Sequence, residues 1–184
     1  EVAPHLIGED PRQVERVNQT MDMALKGHPY VKSALDMACW DLLGQAAGMA
    51  LSTLLGGRFG DDVELYQTIP HGTPDAMRAG LVEARAEGYR RFQPKVGGEP
   101  DTDIERIIAL AAERRDGEVV VVDANGGWLA HEAMRVVGAV GDLDITIEQP
   151  CATYEACLAV RRLTDLPLVL DEVIDSVPAL LRAH

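Results

Sequence analysis

The sequence predicts an α/β protein built on a parallel sheet, and three observations carry that prediction. From residue 62 onward, short apolar runs alternate with helical stretches five times over. One of those runs, residues 119–122, is VVVV, a β-branched block that suits a parallel strand covered on both faces. Ahead of the alternation, residues 1–57 carry helical signals only. Strand–helix repetition at this spacing implies right-handed crossovers, either in an open doubly wound sheet or in part of a (β/α)8 barrel.

Taken in order, residues 10–27 (DPRQVERVNQTMDMALKG) read as a helix with an acidic start and Gly27 as its stop. Residues 30–48 place Val31, Leu35, Cys39, Leu42, Leu43 and Ala46 on one face of a second helix. LLGGRFGDD at 54–62 reads as a hinge. Strands follow at 62–69, 89–96, 118–123, 144–149 and 166–171, and helices at 74–88, 101–115, 130–141, 153–164 and 177–184. Pro74, Pro100, His131, Thr153 and Pro178 lie near the helix starts, with Gly88 and Gly117 near helix ends. Pro94 lacks an amide hydrogen and is expected where the ladder of its strand is ending.

Composition narrows the function classes. The 184 residues carry a net charge of −13 without a basic cluster, which argues against nucleic acid and anionic membrane surfaces as partners. The longest uncharged stretch, 42–57, is too short to span a bilayer. In EVAPHL, where the sequence opens, no secretory signal is visible, and Cys39, Cys151 and Cys157 form no CxxC pair; reduced thiols in a cytoplasmic protein are expected. No GxGxxG or GxxxxGK[ST] follows a strand, so nothing calls for a nucleotide.

The chemistry sits at the strand ends. Lys95 lies in QPKVGG, Asp123 and Asn125 in VVDANGGW, Glu148 and Gln149 in TIEQP, and Asp171 and Glu172 in LVLDE. Lys95, Asp123, Glu148 and Asp171 are spaced by 28, 25 and 23 residues, so four successive strands each bring one ionisable side chain to the C-terminal rim. Three converging carboxylates repel one another, and a divalent cation resolves the conflict. Hard oxygen donors suit Mg²⁺, with Mn²⁺ a close substitute. His71 (TIPHG) reads as a solvated loop histidine in preference to a substrate contact, Trp128 as either a pocket wall or the cover of a helix end, and Cys151 and Cys157 as packing residues rather than nucleophiles.

These residues, with DAN, EQP and DE around the acids, resemble the mandelate racemase/muconate-lactonizing branch of the enolase superfamily. The resemblance covers almost the whole chain. It implies that residues 1–57 are the C-terminal helical part of an α+β capping domain and 58–184 the first five βα units of an incomplete (β/α)8 barrel. It further implies a small carboxylate substrate on Mg²⁺, with Asp123, Glu148 and Asp171 as ligands and Lys95 removing the α-proton to give an enolate. Gln93, Asn125, Gln149 and Glu172 would support the rim or the substrate. The family's usual Lys-x-Lys is Gln93-Pro94-Lys95 here. The form Phe-Gln-x-Lys-Val-Gly-Gly resembles members acting on proline-type amino acids and betaines by racemisation, epimerisation or dehydration.

Acid-sugar dehydration, cycloisomerisation and a catalytically incomplete metal-binding fragment are the alternative readings. A complete barrel needs three further units, so the chain is expected to be a piece of a longer, homo-oligomeric protein. A second acid/base lysine would then stand on the sixth strand, at roughly residue 196.

Overall fold

Proline and threonine punctuate the chain where helices begin, and the computed structural model, which describes residues 1–184, follows that punctuation. Its first unit, Glu1–Val63, is all helical: α1 (Ala3–Leu6), α2 (Val14–Ala24), α3 (Pro29–Ala47) and α4 (Leu51–Leu54). Val2, Val17, Met21 and Cys39 form its core, with Leu6, Val14, Leu25 and Leu35 packed around them. Asn18 donates to Asp36 at 2.7 Å and Lys32 pairs with Asp22 at 2.6 Å, tying α2 to α3. The expected stripe on α3 holds only in part. Leu35 and Cys39 face α2, but Val31 and Leu42 are exposed, because apolar side chains lie all round this helix, Tyr30 and Met37 among them. The four-residue helices α1 and α4 escape a periodicity argument, which needs at least two turns.

In the second unit, Glu64–His184, β1 (Tyr66–Ile69), β2 (Arg91–Pro94), β3 (Val119–Asp123), β4 (Thr146–Glu148) and β5 (Leu168–Val169) alternate with α5 (Pro74–Ala86), α6 (Pro100–Glu113), α7 (Ala130–Val140), α8 (Tyr154–Arg161) and α9 (Val177–Ala183). Thr73, Thr153 and Ser176 cap α5, α8 and α9 through their hydroxyls, and the Glu99 carboxylate accepts from the Thr102 amide at the start of α6. All strand pairs are parallel, and their spatial order is β1-β2-β3-β4-β5. A doubly wound sheet reverses its strand order at a switch point. This sheet does not reverse, so the doubly wound alternative falls and the unit is an arc of a (β/α)8 barrel.

One sheet face is closed by helices. Phe92, Val120, Val122 and Ile147 are buried there against Leu81, Ile107, Leu110, Val136 and Val160. The opposite, concave face is only partly covered: Val119 and Val121 are half-buried, so the VVVV block is dry on one side rather than on both. A hollow of about 240 Å³ on this face is lined by Tyr66, Gln93, Val119, Val121, Glu148 and Val169 among others.

Pro94 is the last residue of β2, where the ladder is ending, and a single bridge lies beyond it. The β2–β3 pairing Arg91↔Val119 and Phe92↔Val120 resumes beyond it at Lys95↔Asp123, where the Val96 amide donates to the Asp123 carbonyl at 2.9 Å. The ring supplies no amide donor at the strand's last position, and the next amide, that of Lys95, donates to the Ile69 carbonyl on β1.

Near the opposite end of β3, Arg85 reaches Glu118 through two bonds of 2.6 and 2.9 Å, with both side chains buried. The Arg85 guanidinium holds the Glu118 carboxyl below the usual carboxylate range, against burial, which opposes it. No helix is long and apolar enough to cross a membrane.

Candidate active site

Side chains alternate along a strand, so residues two apart share a face. Gln93, Lys95, Asp123 and Glu148 therefore fall on the concave side, together with Val121 and Val169. Asp171, two residues beyond Val169, has the same parity. Register does the rest: Lys95 opposes Asp123, and Asp123 opposes Glu148, on neighbouring strands about 4.8 Å apart.

Lys95 Nζ donates to Asp123 Oδ2 at 2.5 Å. Asp123 is 1% exposed, and its other oxygen accepts from the Asn125 amide at 2.8 Å. Glu148 Oε2 accepts from Gln93 Nε2 at 2.8 Å. Burial pushes the Glu148 carboxyl above its usual range; the Gln93 bond opposes this, Asp123 and Asp171 add to it, and Lys95 works against them. The carboxylates of Asp123 and Asp171 thus act on Glu148 through one shared field. Asp171 itself is exposed.

The remaining expected residues fall around this rim. Gln149 is fully buried with φ 35°, a left-handed conformation rare outside glycine. Its carboxamide accepts from the Asp171 amide and donates to the Cys151 carbonyl, both at 2.8 Å, which holds the end of β5 against β4. Asn125 donates to Glu172 at 3.0 Å, joining the loops after β3 and β5. Cys151 and Cys157 are buried, and burial lifts the Cys151 thiol to about 11, where it is a poor nucleophile.

No three His, Cys, Asp or Glu side chains are gathered at metal-ligand spacing. Lys95 answers the charge of Asp123 and the Gln93 amide answers that of Glu148, while Asp171 stays in solvent. The donor set nonetheless fits a hard divalent cation: three carboxylates stand at adjacent strand ends on one face, burial and the charges of Asp123 and Asp171 push the Glu148 carboxyl up, and an ammonium already sits on one of them. Nothing soft competes, because the two nearby thiols are buried on the helix side.

Two residues at this rim were not legible as site residues. Asp103 is completely buried in α6 and accepts from Gly97 N, Gly98 N, Trp128 Nε1 and Arg106. Arg106 in turn donates to the Gly72 carbonyl and lies 3.1 Å from His71 Nε2. In sequence Asp103 is one of two acids in a helix's first turn, which the helix dipole alone accounts for. The one hint is the GG pair ahead of it, since close backbone approach calls for glycine. The indole bond also settles Trp128: buried among Ala124, Ala133 and its neighbours, it is a core side chain and not a pocket wall.

An arc of (β/α)8 barrel with one amine and three carboxylates on its C-terminal rim is the arrangement of the enolase-type barrels. Residues 76–183 match the family described as enolase C-terminal domain-like, and residues 1–56 match the mandelate racemase/muconate lactonizing enzyme N-terminal domain. The chain belongs to the mandelate racemase/muconate-lactonizing family of the enolase superfamily. It is 53% identical over 182 residues to a cis-3-hydroxy-L-proline dehydratase of Roseibium aggregatum, covering 99% of this chain and 50% of that protein. A crystal structure of an enolase-superfamily member from Roseovarius nubinhibens ISM, complexed with magnesium, superposes with a TM-score of 0.85 at 45% identity over 99% of this chain and 50% of that one. A dipeptide epimerase from Cytophaga hutchinsonii complexed with Mg and D-Ala-L-Val gives 0.89 at 28% identity, over 98% and 50%. The chain spans about half the length of the curated relatives it matches.

Proposed function

We propose that the whole protein removes the proton α to the carboxylate of a 3-hydroxyproline-type amino acid and expels the 3-hydroxyl as water. Lys95 is the base, and Asp123, Glu148 and Asp171 hold a Mg²⁺ ion. When bound, the ion would stabilise the negative charge that develops on the substrate carboxylate. Lys95 stands on the same sheet face as the carboxylates that would hold the ion, with its amine directed by Asp123. Proton removal needs the neutral amine, so Lys95 must leave its proton before turnover and take up the substrate's in its place. Gln93, where the family commonly has a second lysine, keeps the rim less cationic, which suits a substrate that carries its own ring ammonium.

The observation that carries this reading is the Lys95–Asp123–Glu148 register across β2, β3 and β4, in which a base and two acid donors occupy successive strand ends on one face. The identity to a cis-3-hydroxy-L-proline dehydratase supports the substrate class. Epimerisation of an amino-acid derivative is the second reading, supported by the superposition on a dipeptide epimerase.

Incubating the whole protein with Mg²⁺ and cis-3-hydroxy-L-proline in deuterated buffer separates the two. Loss of one water from the acid, abolished in Lys95→Ala, is the expected result. Recovery of the intact acid with its α-position deuterated or inverted replaces dehydration by epimerisation. Water loss that survives Lys95→Ala removes Lys95 as the base.

A further inference from the structure

Asp103 accepts hydrogen bonds from four different residues, and nothing in the reaction chemistry above uses it. Its side chain is fully buried. Oδ2 accepts from the Gly97 amide at 3.0 Å, the Gly98 amide at 2.7 Å and Trp128 Nε1 at 2.9 Å; Oδ1 accepts from Arg106 Nη1 at 2.8 Å. Gly97 and Gly98 are the second and third residues after Lys95 in KVGG, and Trp128 closes the loop that begins at Asp123. One carboxylate on α6 therefore holds both loops that carry the amine and its acid partner.

The packing between those loops leaves no slack. A β-carbon on Gly97 would stand 2.2 Å from the Ala124 carbonyl oxygen, and one on Gly127 would stand 2.3 Å from the Gly97 carbonyl oxygen. The two backbones touch directly, and Asp103 supplies the hydrogen bonds that keep them in contact. Arg106 extends the hold to a third loop, donating through Nε to the Gly72 carbonyl after β1 at 2.7 Å.

We infer that Asp103 is a positioning residue: by binding the Gly97 and Gly98 amides and the Trp128 indole, it fixes Lys95 opposite Asp123 at the rim. This rests on the reading of Lys95 as the base. Four donors on one buried carboxylate are stronger and stiffer than four bonds to neutral groups, and they relinquish little to water. A base displaced by about an ångström loses roughly a hundredfold in rate, with far less effect on substrate binding.

Two substitutions in the whole protein test it. Asp103→Asn keeps the shape but turns an acceptor-only group into one that presents N–H to donors already there. Trp128→Phe keeps an aromatic ring but removes the indole N–H together with part of the buried bicycle, and it carries the test should Asp103→Asn fail to fold. For Asp103→Asn, kcat should fall about a hundredfold with KM within threefold of the native value; Trp128→Phe should fall about tenfold. In both, hydrogen exchange should quicken at the Gly97 and Gly98 amides while amides of β4 and α7 keep native protection. Acylation of Lys95 by an amine-reactive ester should rise several-fold.

A folded variant with native kcat and native Lys95 acylation overturns the inference. So does a variant in which kcat and KM change together and protection is lost throughout the second unit, since that describes a general role in stability. The exchange and acylation measurements use no substrate. If the unsubstituted protein neither dehydrates nor exchanges the α-proton, the proposed reaction fails, and these two measurements still decide whether Asp103 sets the place of Lys95.

Discussion

Replacing Lys95 by methionine should make the whole protein bind Mg²⁺ more tightly while destroying its chemistry. Asp123 is 1% exposed and has two partners, the Asn125 amide and the Lys95 ammonium. Removing one member of a buried ion pair costs about 3–5 kcal/mol when both are fully desolvated. Lys95 keeps 30% of its side chain in solvent, which reduces the loss to about 2 kcal/mol. Methionine fills the space of the lysine stem, so little of the effect is packing. Mg²⁺ relieves the uncompensated charge, and relief of about 2 kcal/mol corresponds to about thirtyfold tighter binding. Calorimetric titration with Mg²⁺, paired with thermal unfolding with and without the ion, measures both quantities. The metal-free variant should melt below the native protein and recover most of the difference when Mg²⁺ is added. Equal or weaker Mg²⁺ binding, or a loss of stability that the ion does not restore, would refute the reasoning.

Gln93→Lys adds a like charge near Lys95, favours the neutral amine and should move the rising limb of the pH–rate profile to lower pH; a move to higher pH contradicts this. Arg85→Met leaves Glu118, 2% exposed, without its cation and should cost about 3–5 kcal/mol in urea unfolding at neutral pH. Because the native Glu118 carboxyl lies below its ordinary range, its contribution is present above about pH 4.3 and lost as pH falls through the lower folded value. The deficit of the variant should therefore shrink only as pH falls well below the ordinary glutamate value, and a deficit that stays constant through that acid range would show that the pair contributes no charge-dependent stability. Gly97→Ala puts a β-carbon 2.2 Å from a carbonyl oxygen at φ 98° and should cost at least about 2 kcal/mol in thermal unfolding, with loss of α-proton removal.

The architecture was legible because its signals repeat. Each βα unit has a short apolar run, four of the five helix starts are marked by Pro or Thr, and four of the five strands end in an ionisable residue, so an error in one unit is corrected by the others. Lys95, Asp123 and Glu148 could be aligned without coordinates because parity along a strand and register between parallel strands leave few alternatives. What stayed hidden was whatever depends on a single contact across the chain. Asp103 looks like any acid at a helix start, and its four partners come from two loops that the sequence does not show to be adjacent. Gln149 was visible as a polar neighbour of Glu148, but its left-handed backbone and its hold on the Asp171 amide depend on β5 lying beside β4. Pro94 was legible as the close of β2, because a missing donor weakens a ladder locally; the single bridge beyond it, where the Lys95 and Val96 amides find partners on β1 and β3, was not.

The strand order has a consequence for how such a protein is made. Spatial order equals order in the chain, so each βα unit docks on the unit synthesised just before it. A unit of roughly 25 residues takes about 1–5 s to leave a ribosome working at 5–20 residues per second, whereas helices and hairpins form in microseconds. Every unit therefore has ample time to settle before its successor emerges, and no strand has to wait for a neighbour encoded far downstream. The exception is the free edge of β1, which in a closed barrel pairs with the last strand to be made. Until then that edge is the place where a nascent chain most needs protection from its neighbours on the same messenger.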